Sequence, residues 1–117
     1  MKNRTVQEKS FQFAIRIVRI CQILQNEKKE FILSRQLLKS GTAPGALVRE
    51  AEHAQSRADF INKMSIGLKE INECIYWLNL LIETNYLKRT EYDSIISDAF
   101  EVLKLLISIV KTSKSSQ

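Results

Sequence analysis

The chain has 117 residues, is 44% hydrophobic and carries a formal net charge of +5. This length suits one domain, 1–117, and is too short for two; the apolar content fills a core with no need of a metal or disulfide staple. Three Gly and one Pro leave little for long loops, which disfavours a turn-rich β architecture and points to helices.

The opening MKNRTVQEKS is polar and charged and does not resemble a signal peptide. Helix one is predicted over Val6–Gln25. Its polar residues Lys9, Gln12, Arg16, Arg19, Gln22 and Asn26 form one stripe that spans roughly 140° at about 100° per residue. The rest of the circumference, which includes Phe13, Ile17 and Ile20, is mostly apolar and wider than a bundle helix needs to face its own core. Asn26 either ends helix one or caps helix two.

Helix two is predicted over Lys28–His53. Within it, Lys39-Ser-Gly-Thr-Ala-Pro-Gly45 interrupts the pattern. Pro44 cannot donate to the carbonyl of Ser40 and crowds it, and Gly41 and Gly45 weaken the same turn. Helix two therefore kinks near Pro44 or breaks there into two shorter helices. The small residues Ser40, Gly41, Ala43, Gly45 and Ala46 suit close approach by a neighbouring helix better than they suit a ligand site.

Helix three is predicted over Arg57–Asn85 and helix four over Glu91–Thr112. Ser56 with Asp59, and Thr90 with Asp93, each place a hydroxyl at an N-cap and a carboxylate three residues on. Residues 6–112 are expected to be ordered, whereas 113–117 have nothing to bury and should fray. The most apolar stretch, Ala99–Val110, is interrupted by Glu101, Lys104 and Ser108 and is too short to span a bilayer. A cytoplasmic protein with no membrane partner is expected.

Short connections between long helices require antiparallel neighbours. The fold class is therefore all-α, an antiparallel up-down-up-down four-helix bundle. Helix four repeats the wide apolar face of helix one, with Val102, Leu105 and Ile109 on it. The surplus width on both helices is assigned to contact with another subunit. Phe13, Ile17, Ile20, Val102, Leu105 and Ile109 are the candidate oligomer interface.

No P-loop, Gly-rich dinucleotide turn or Cys/His metal spacing is present, so no cofactor, metal, catalytic residue or small-molecule substrate is expected. His53 stands at the end of helix two beside Glu50 and Glu52, with no nucleophile near it. Glu50-Ala-Glu-His53 supplies only once the Glu-x-x-His that a di-iron bundle requires on two helices. Cys21 and Cys74 read as buried thiols of a reducing cytoplasm rather than as a disulfide. Glu70 and Glu73 share a helix face. With Lys69, Arg49 and Glu50 they are read as a structural ion network across the bundle, Arg35 being a further cation within reach.

Charge is divided unevenly. Residues 1–49 hold ten Lys/Arg against three Asp/Glu, a balance of +7, and residues 50–117 hold eight against ten, a balance of −2. A basic half suggests a polyanionic partner, RNA or DNA. The candidate contacts are Lys9, Arg16, Arg19, Arg35, Lys39 and Arg49, which would meet phosphates without reading bases. No aromatic alternates with these charges, which argues against single-strand recognition by stacking. The competing reading is a scaffold whose protein partner docks on an apolar or acidic surface.

The pieces Ser40-Gly-Thr, Arg49-Glu-Ala, Ala58-Asp-Phe, Lys69-Glu and Tyr76-Trp-Leu, in this order and spacing, resemble a bacterial family. These are the four-helix-bundle proteins encoded within intervening sequences of large-subunit ribosomal RNA genes. The accessory variability proteins of diversity-generating retroelements are similar. The resemblance covers nearly the whole chain and is densest over 34–82. It implies a ring-like homopentamer and nucleic-acid binding, and for the retroelement relatives a reverse-transcriptase partner. Arg49 and Glu50 match the family's Arg-Glu pair, and Lys69, Glu70 and Glu73 match its Lys-Glu and Glu positions. Where the family has Ser-Ile-Gly-Ala-Asn, this chain has Ala43, Pro44, Gly45, Ala46 and Leu47. A function that rests on that Asn is not carried over.

Overall fold

A computed structural model describes residues 2–115, and among these the chain forms four α-helices and no strand. They are α1 (Lys2–Asn26), α2 (Leu33–Ala51), α3 (Arg57–Glu83) and α4 (Arg89–Ser115). Each helix packs on its neighbours in the chain, and α1 and α4 close the ring. Ser10 lies against Gly45 and Ile17 against Gly41, while Cys21 and Gln25 both reach Ser34; α1 and α2 therefore run in opposite directions. The same reversal relates α3 to α4, where Arg57 reaches Ser113 and Tyr92 reaches Asn79.

The core follows from the spacing. In α1 the buried positions are Val6, Ser10, Phe13, Ile17, Cys21 and Leu24, and in α4 they are Ile95, Ala99, Val102, Leu106 and Val110. Steps of three and four keep such residues on one seam of slightly supercoiled helices. Cys21 and Cys74 are free thiols. Burial is the main cause that pushes both up to about 12.

Pro44 does not divide α2. The helix is continuous from Leu33 to Ala51 with Pro44 buried inside it, so the expected alternative of two shorter helices is wrong. The Ser40 and Thr42 hydroxyls donate to the carbonyls of Gln36 and Leu38, at 2.9 and 2.7 Å, and bind the helix to itself through the turn before the proline. Close packing also holds this segment in place, as its small residues suggest. A methyl group on Gly41 would stand 2.7 Å from Ile17 Cγ2, and one on Gly45 would stand 3.3 Å from the Ser10 carbonyl oxygen. On the other side, a methyl group on Gly67 of α3 would stand 3.9 Å from Pro44 Cα, an ordinary contact.

Several helix ends differ from expectation, each for a local reason. The second helix begins at Leu33 rather than Lys28, because the Glu30 carboxylate turns inward and accepts from the N–H groups of Ile32, Leu33 and Ser34 at 3.1, 2.9 and 2.7 Å. It ends at Ala51, leaving His53 in the turn. Ser56 caps α3 as expected, its hydroxyl accepting from Asp59 N–H at 3.0 Å. The third helix closes at Glu83 in a Schellman turn, with Asn85 at φ 68 and Tyr86 N–H on the Leu81 carbonyl at 2.9 Å. The Thr90–Asp93 cap does not form. The helix starts at Arg89, so Thr90 already lies inside it, and Glu91 reaches back to Lys88 N–H at 2.9 Å instead. Helical structure continues through Ser115, and of the tail 113–117 that is expected to fray, 116–117 lie outside the described residues.

Gly41→Ala should destabilise the protein by about 1–3 kcal/mol, because the clash falls on the stem of a stiff β-branched side chain. Gly67→Ala meets only ordinary contacts and gains helix propensity, so it should be neutral or stabilising by up to about 1 kcal/mol. Urea unfolding of the two variants checks the contrast; equal effects would contradict the close approach at Gly41.

Candidate nucleic-acid interface

The six candidate cations do not share one surface. Lys9 and Arg16 lie on the flank of α1 that meets α4. Lys9 Nζ stands 3.5 Å from Glu101 Oε1, and Arg16 pairs with Asp98 while also donating to the Ser94 hydroxyl at 2.9 Å. Half-exposed pairs of this kind are worth at most about 1 kcal/mol, but they neutralise both cations and set the register of α1 on α4. These two residues leave the phosphate-binding set.

The other four remain available. Arg19, Arg35, Lys39 and Arg49 are exposed, and none has an ion pair among the described residues. On α2 the sequence Arg35, Lys39, Thr42, Ala46, Arg49 advances by alternate steps of four and three. It therefore tracks one face opposite the buried Leu37, Gly41, Pro44 and Val48. From Arg35 to Arg49 this stripe is about 21 Å long, at about 1.5 Å per residue. The sole acid within α2, Glu50, stands about 100° round the helix from Arg49.

The α1–α2 loop, residues 27–32, contributes a feature that the sequence reading assigned elsewhere. With the helix starting at Leu33, Phe31 and Ile32 sit in the loop and not within a helix. Phe31 is 47% exposed and Ile32 is 77% exposed. Lys28 and Lys29 precede them and Arg35 follows, all exposed. An aromatic therefore does stand among the cations, contrary to expectation. The loop is held by Glu30, which is buried. Burial alone would raise its carboxyl, but the N–H groups of Leu33, Ser34 and Ile32 outweigh that and hold it below the ordinary carboxylate range. The one sequence signal for this was an acid three residues ahead of an apolar helical repeat.

The ion network expected from Arg49, Glu50, Lys69, Glu70 and Glu73 does not form among the described residues. Glu73 instead accepts from the Trp77 indole N–H at 3.3 Å. The cause is register. Pro44 is level with Gly67, and Arg49 lies about 7 Å from that level towards one end, whereas Glu73 lies about 9 Å towards the other.

The expected oligomer interface is also corrected. Phe13, Ile17 and Val102 are 1%, 0% and 1% exposed and fill the core, while Ile20, Leu105 and Ile109 are partly buried against it. The surplus apolar width is real but lies on other flanks. Phe11, Val18 and Ile23 of α1, and Phe100 and Ile107 of α4, are the large exposed apolar side chains of these two helices. Among the described residues no helix is long and apolar enough to cross a membrane.

The model of the 23S rRNA-intervening sequence protein family matches residues 2–108. None of the curated proteins matches. A crystal structure from Bacteroides thetaiotaomicron, described as a protein of unknown function from the S23 ribosomal protein family, superposes with a TM-score of 0.93. It is 58% identical, over 95% of this chain and 99% of its own.

Glu30→Gln should cost about 1–2 kcal/mol at neutral pH. The folded carboxyl titrates below its unfolded value of about 4.3, so its stabilisation is complete above that value and is lost as pH falls through the folded one. Urea unfolding of both proteins should show a constant gap down to about pH 4.5 that closes at lower pH. A gap that widens in acid would contradict this role for Glu30.

Proposed function

The chain belongs to the 23S rRNA-intervening sequence protein family, and from that premise we propose that it is a homo-oligomeric protein that binds structured RNA or DNA along the outer face of α2. The observation that carries this reading is the stripe Arg35, Lys39 and Arg49: exposed, without ion pairs and free of acid along its face. Unpaired cations in a row match a row of phosphates, and their binding releases counterions from the nucleic acid. Arg19, also exposed and unpaired, is a further contact on α1. Such contacts position a backbone without reading its bases, so the binding is weakly sequence-specific.

The three cations of α2 extend over about 21 Å instead of converging on one reacting point. The reading is accordingly of a binding protein and not an enzyme.

Self-association rests on Phe11, Val18, Phe100 and Ile107, which expose apolar surface on α1 and α4. The family resemblance implies five copies in a ring. Each copy then adds its own α2 stripe, and avidity multiplies contacts that are weak singly. A protein-scaffold reading is favoured by the outer surface of α3, where Tyr76 is 58% exposed. A partner that stays bound through nuclease treatment and high salt would support that reading over nucleic-acid binding.

Two measurements test the proposal. In mobility shifts over a salt series, replacing Arg35, Lys39 and Arg49 together by Gln should weaken binding about 10- to 100-fold and lower the log–log salt slope by about 3. Replacing Lys9 and Arg16 by Gln should leave the slope within about 1 of its original value, because these cations are already paired. A protein that binds neither structured RNA nor duplex DNA at low salt ends the idea. In sedimentation the protein should be an oligomer at micromolar concentration, and Phe11→Glu with Phe100→Glu should disperse it; a monomeric wild type removes self-association.

A further inference from the structure

The α1–α2 loop holds two large apolar side chains in solvent, and its construction shows why they stay there. Six residues, 27–32, separate α1 from α2. At the start of the loop, Glu27 and Lys28 N–H groups bond the Ile23 carbonyl at 2.9 and 3.4 Å, and Glu30 N–H bonds that of Leu24 at 3.0 Å. Lys29 takes a left-handed conformation at φ 55, which turns the chain. At the far side the Glu30 carboxylate accepts from the N–H groups of Ile32, Leu33 and Ser34, and the Ser34 hydroxyl returns a bond to the Glu30 carbonyl at 2.8 Å. Two side chains of α1 fasten the same point, Gln25 Nε2 donating to Ser34 Oγ at 3.1 Å and Cys21 Sγ to the Ser34 carbonyl at 3.3 Å.

A loop tied at both ends in this way cannot fold over to cover its own tip. With Glu30 fixed inward, Phe31 and Ile32 remain outside. Burial of side chains of this size is normally a major stabilising contribution, and the fold forgoes it here.

The surroundings state what kind of partner fits. Lys28, Lys29 and Arg35 flank the apolar pair, all exposed and none ion-paired among the described residues. Arg35 is also the first cation of the α2 stripe. A ligand there must present negative charge beside a flat apolar face, and a nucleotide with an unpaired base does so. A closed duplex offers phosphates but keeps its base faces stacked.

We propose that Phe31, supported by Ile32, is a stacking platform for an unpaired base of a nucleic acid whose backbone is held by Lys28, Lys29 and Arg35. This rests on the nucleic-acid reading of α2 and adds a preference to it: the stripe takes any phosphate backbone, and the loop selects those with a base free to leave its stack.

The test uses two RNA probes with the same stem, one a hairpin with an unpaired purine loop and one a blunt duplex. Wild-type protein should bind the hairpin more tightly. Phe31→Ala should weaken hairpin binding about ten-fold or more while duplex binding changes less than about two-fold, and Phe31→Trp should restore the preference, since stacking needs only an aromatic face. An equal loss on both probes, or no loss on either, overturns the stacking platform. So does a Phe31→Ala protein that sediments as a smaller species, which would make the loop a subunit contact. Binding of the wild type to phosphatidylserine vesicles, lost in Phe31→Ala with hairpin binding intact, overturns it in favour of a lipid surface. If neither probe binds wild-type protein, the nucleic-acid reading itself fails. If the α2 substitutions act as expected and Phe31→Ala does nothing, only the platform fails.

Discussion

The approach of α1 to α2 at Gly41 governs the arrangement of the basic half of the molecule. With no Cβ at that position, Ile17 sits where a methyl group would otherwise be, and one turn later Gly45 admits the Ser10 backbone. The opposite flank of the same segment receives Gly67 of α3 at Pro44. The second helix is thus gripped from both sides by its small residues, and the rotation of the helix about its own axis is set. Because Ser40, Gly41, Pro44 and Val48 face inward, Arg35, Lys39 and Arg49 must face out. The packing of the smallest side chains decides where the largest charges stand.

Glu30 plays the corresponding part at the end of the bundle. A carboxylate that ends up buried is costly unless its oxygens are filled, and here three N–H groups fill them. It sets where α2 begins, anchors the loop to α1 through Ser34 and forces two apolar neighbours outward. One inward-turned acid therefore links a helix start, a rigid turn and an exposed aromatic. The charge pairs on the α1–α4 seam act differently. Lys9 with Glu101 and Arg16 with Asp98 align two helices and consume cations that the sequence pattern assigns to phosphate contacts.

The bundle itself was legible because its signals are local. Apolar residues at steps of three and four, a serine ahead of an acid at Ser56–Asp59 and few glycines or prolines all act within one or two turns. The start of α2 was misplaced because Lys28-Lys29-Glu30 has good helix propensity, and the competing interaction is a side-chain contact that appears only once the loop has closed. The interface residues were misplaced for a related reason. A helix wheel shows that α1 has more apolar circumference than one core needs, but it cannot say which part faces inward. Phe13 and Ile17 went to the core, and Phe11 and Val18 were left outside.

By itself the sequence determined the number of helices, their approximate spans, the basic character of residues 1–49 and the family. The first three follow from composition and short-range periodicity, and the family from the order and spacing of short motifs such as Arg49-Glu-Ala and Tyr76-Trp-Leu. Only the tertiary structure decided which cations are free, which apolar residues are exposed and how α2 accommodates Pro44. Each of these depends on the rotation and register of one helix against another, and that is settled by contacts between residues far apart in the chain: Ile17 with Gly41, Pro44 with Gly67 and Arg16 with Asp98.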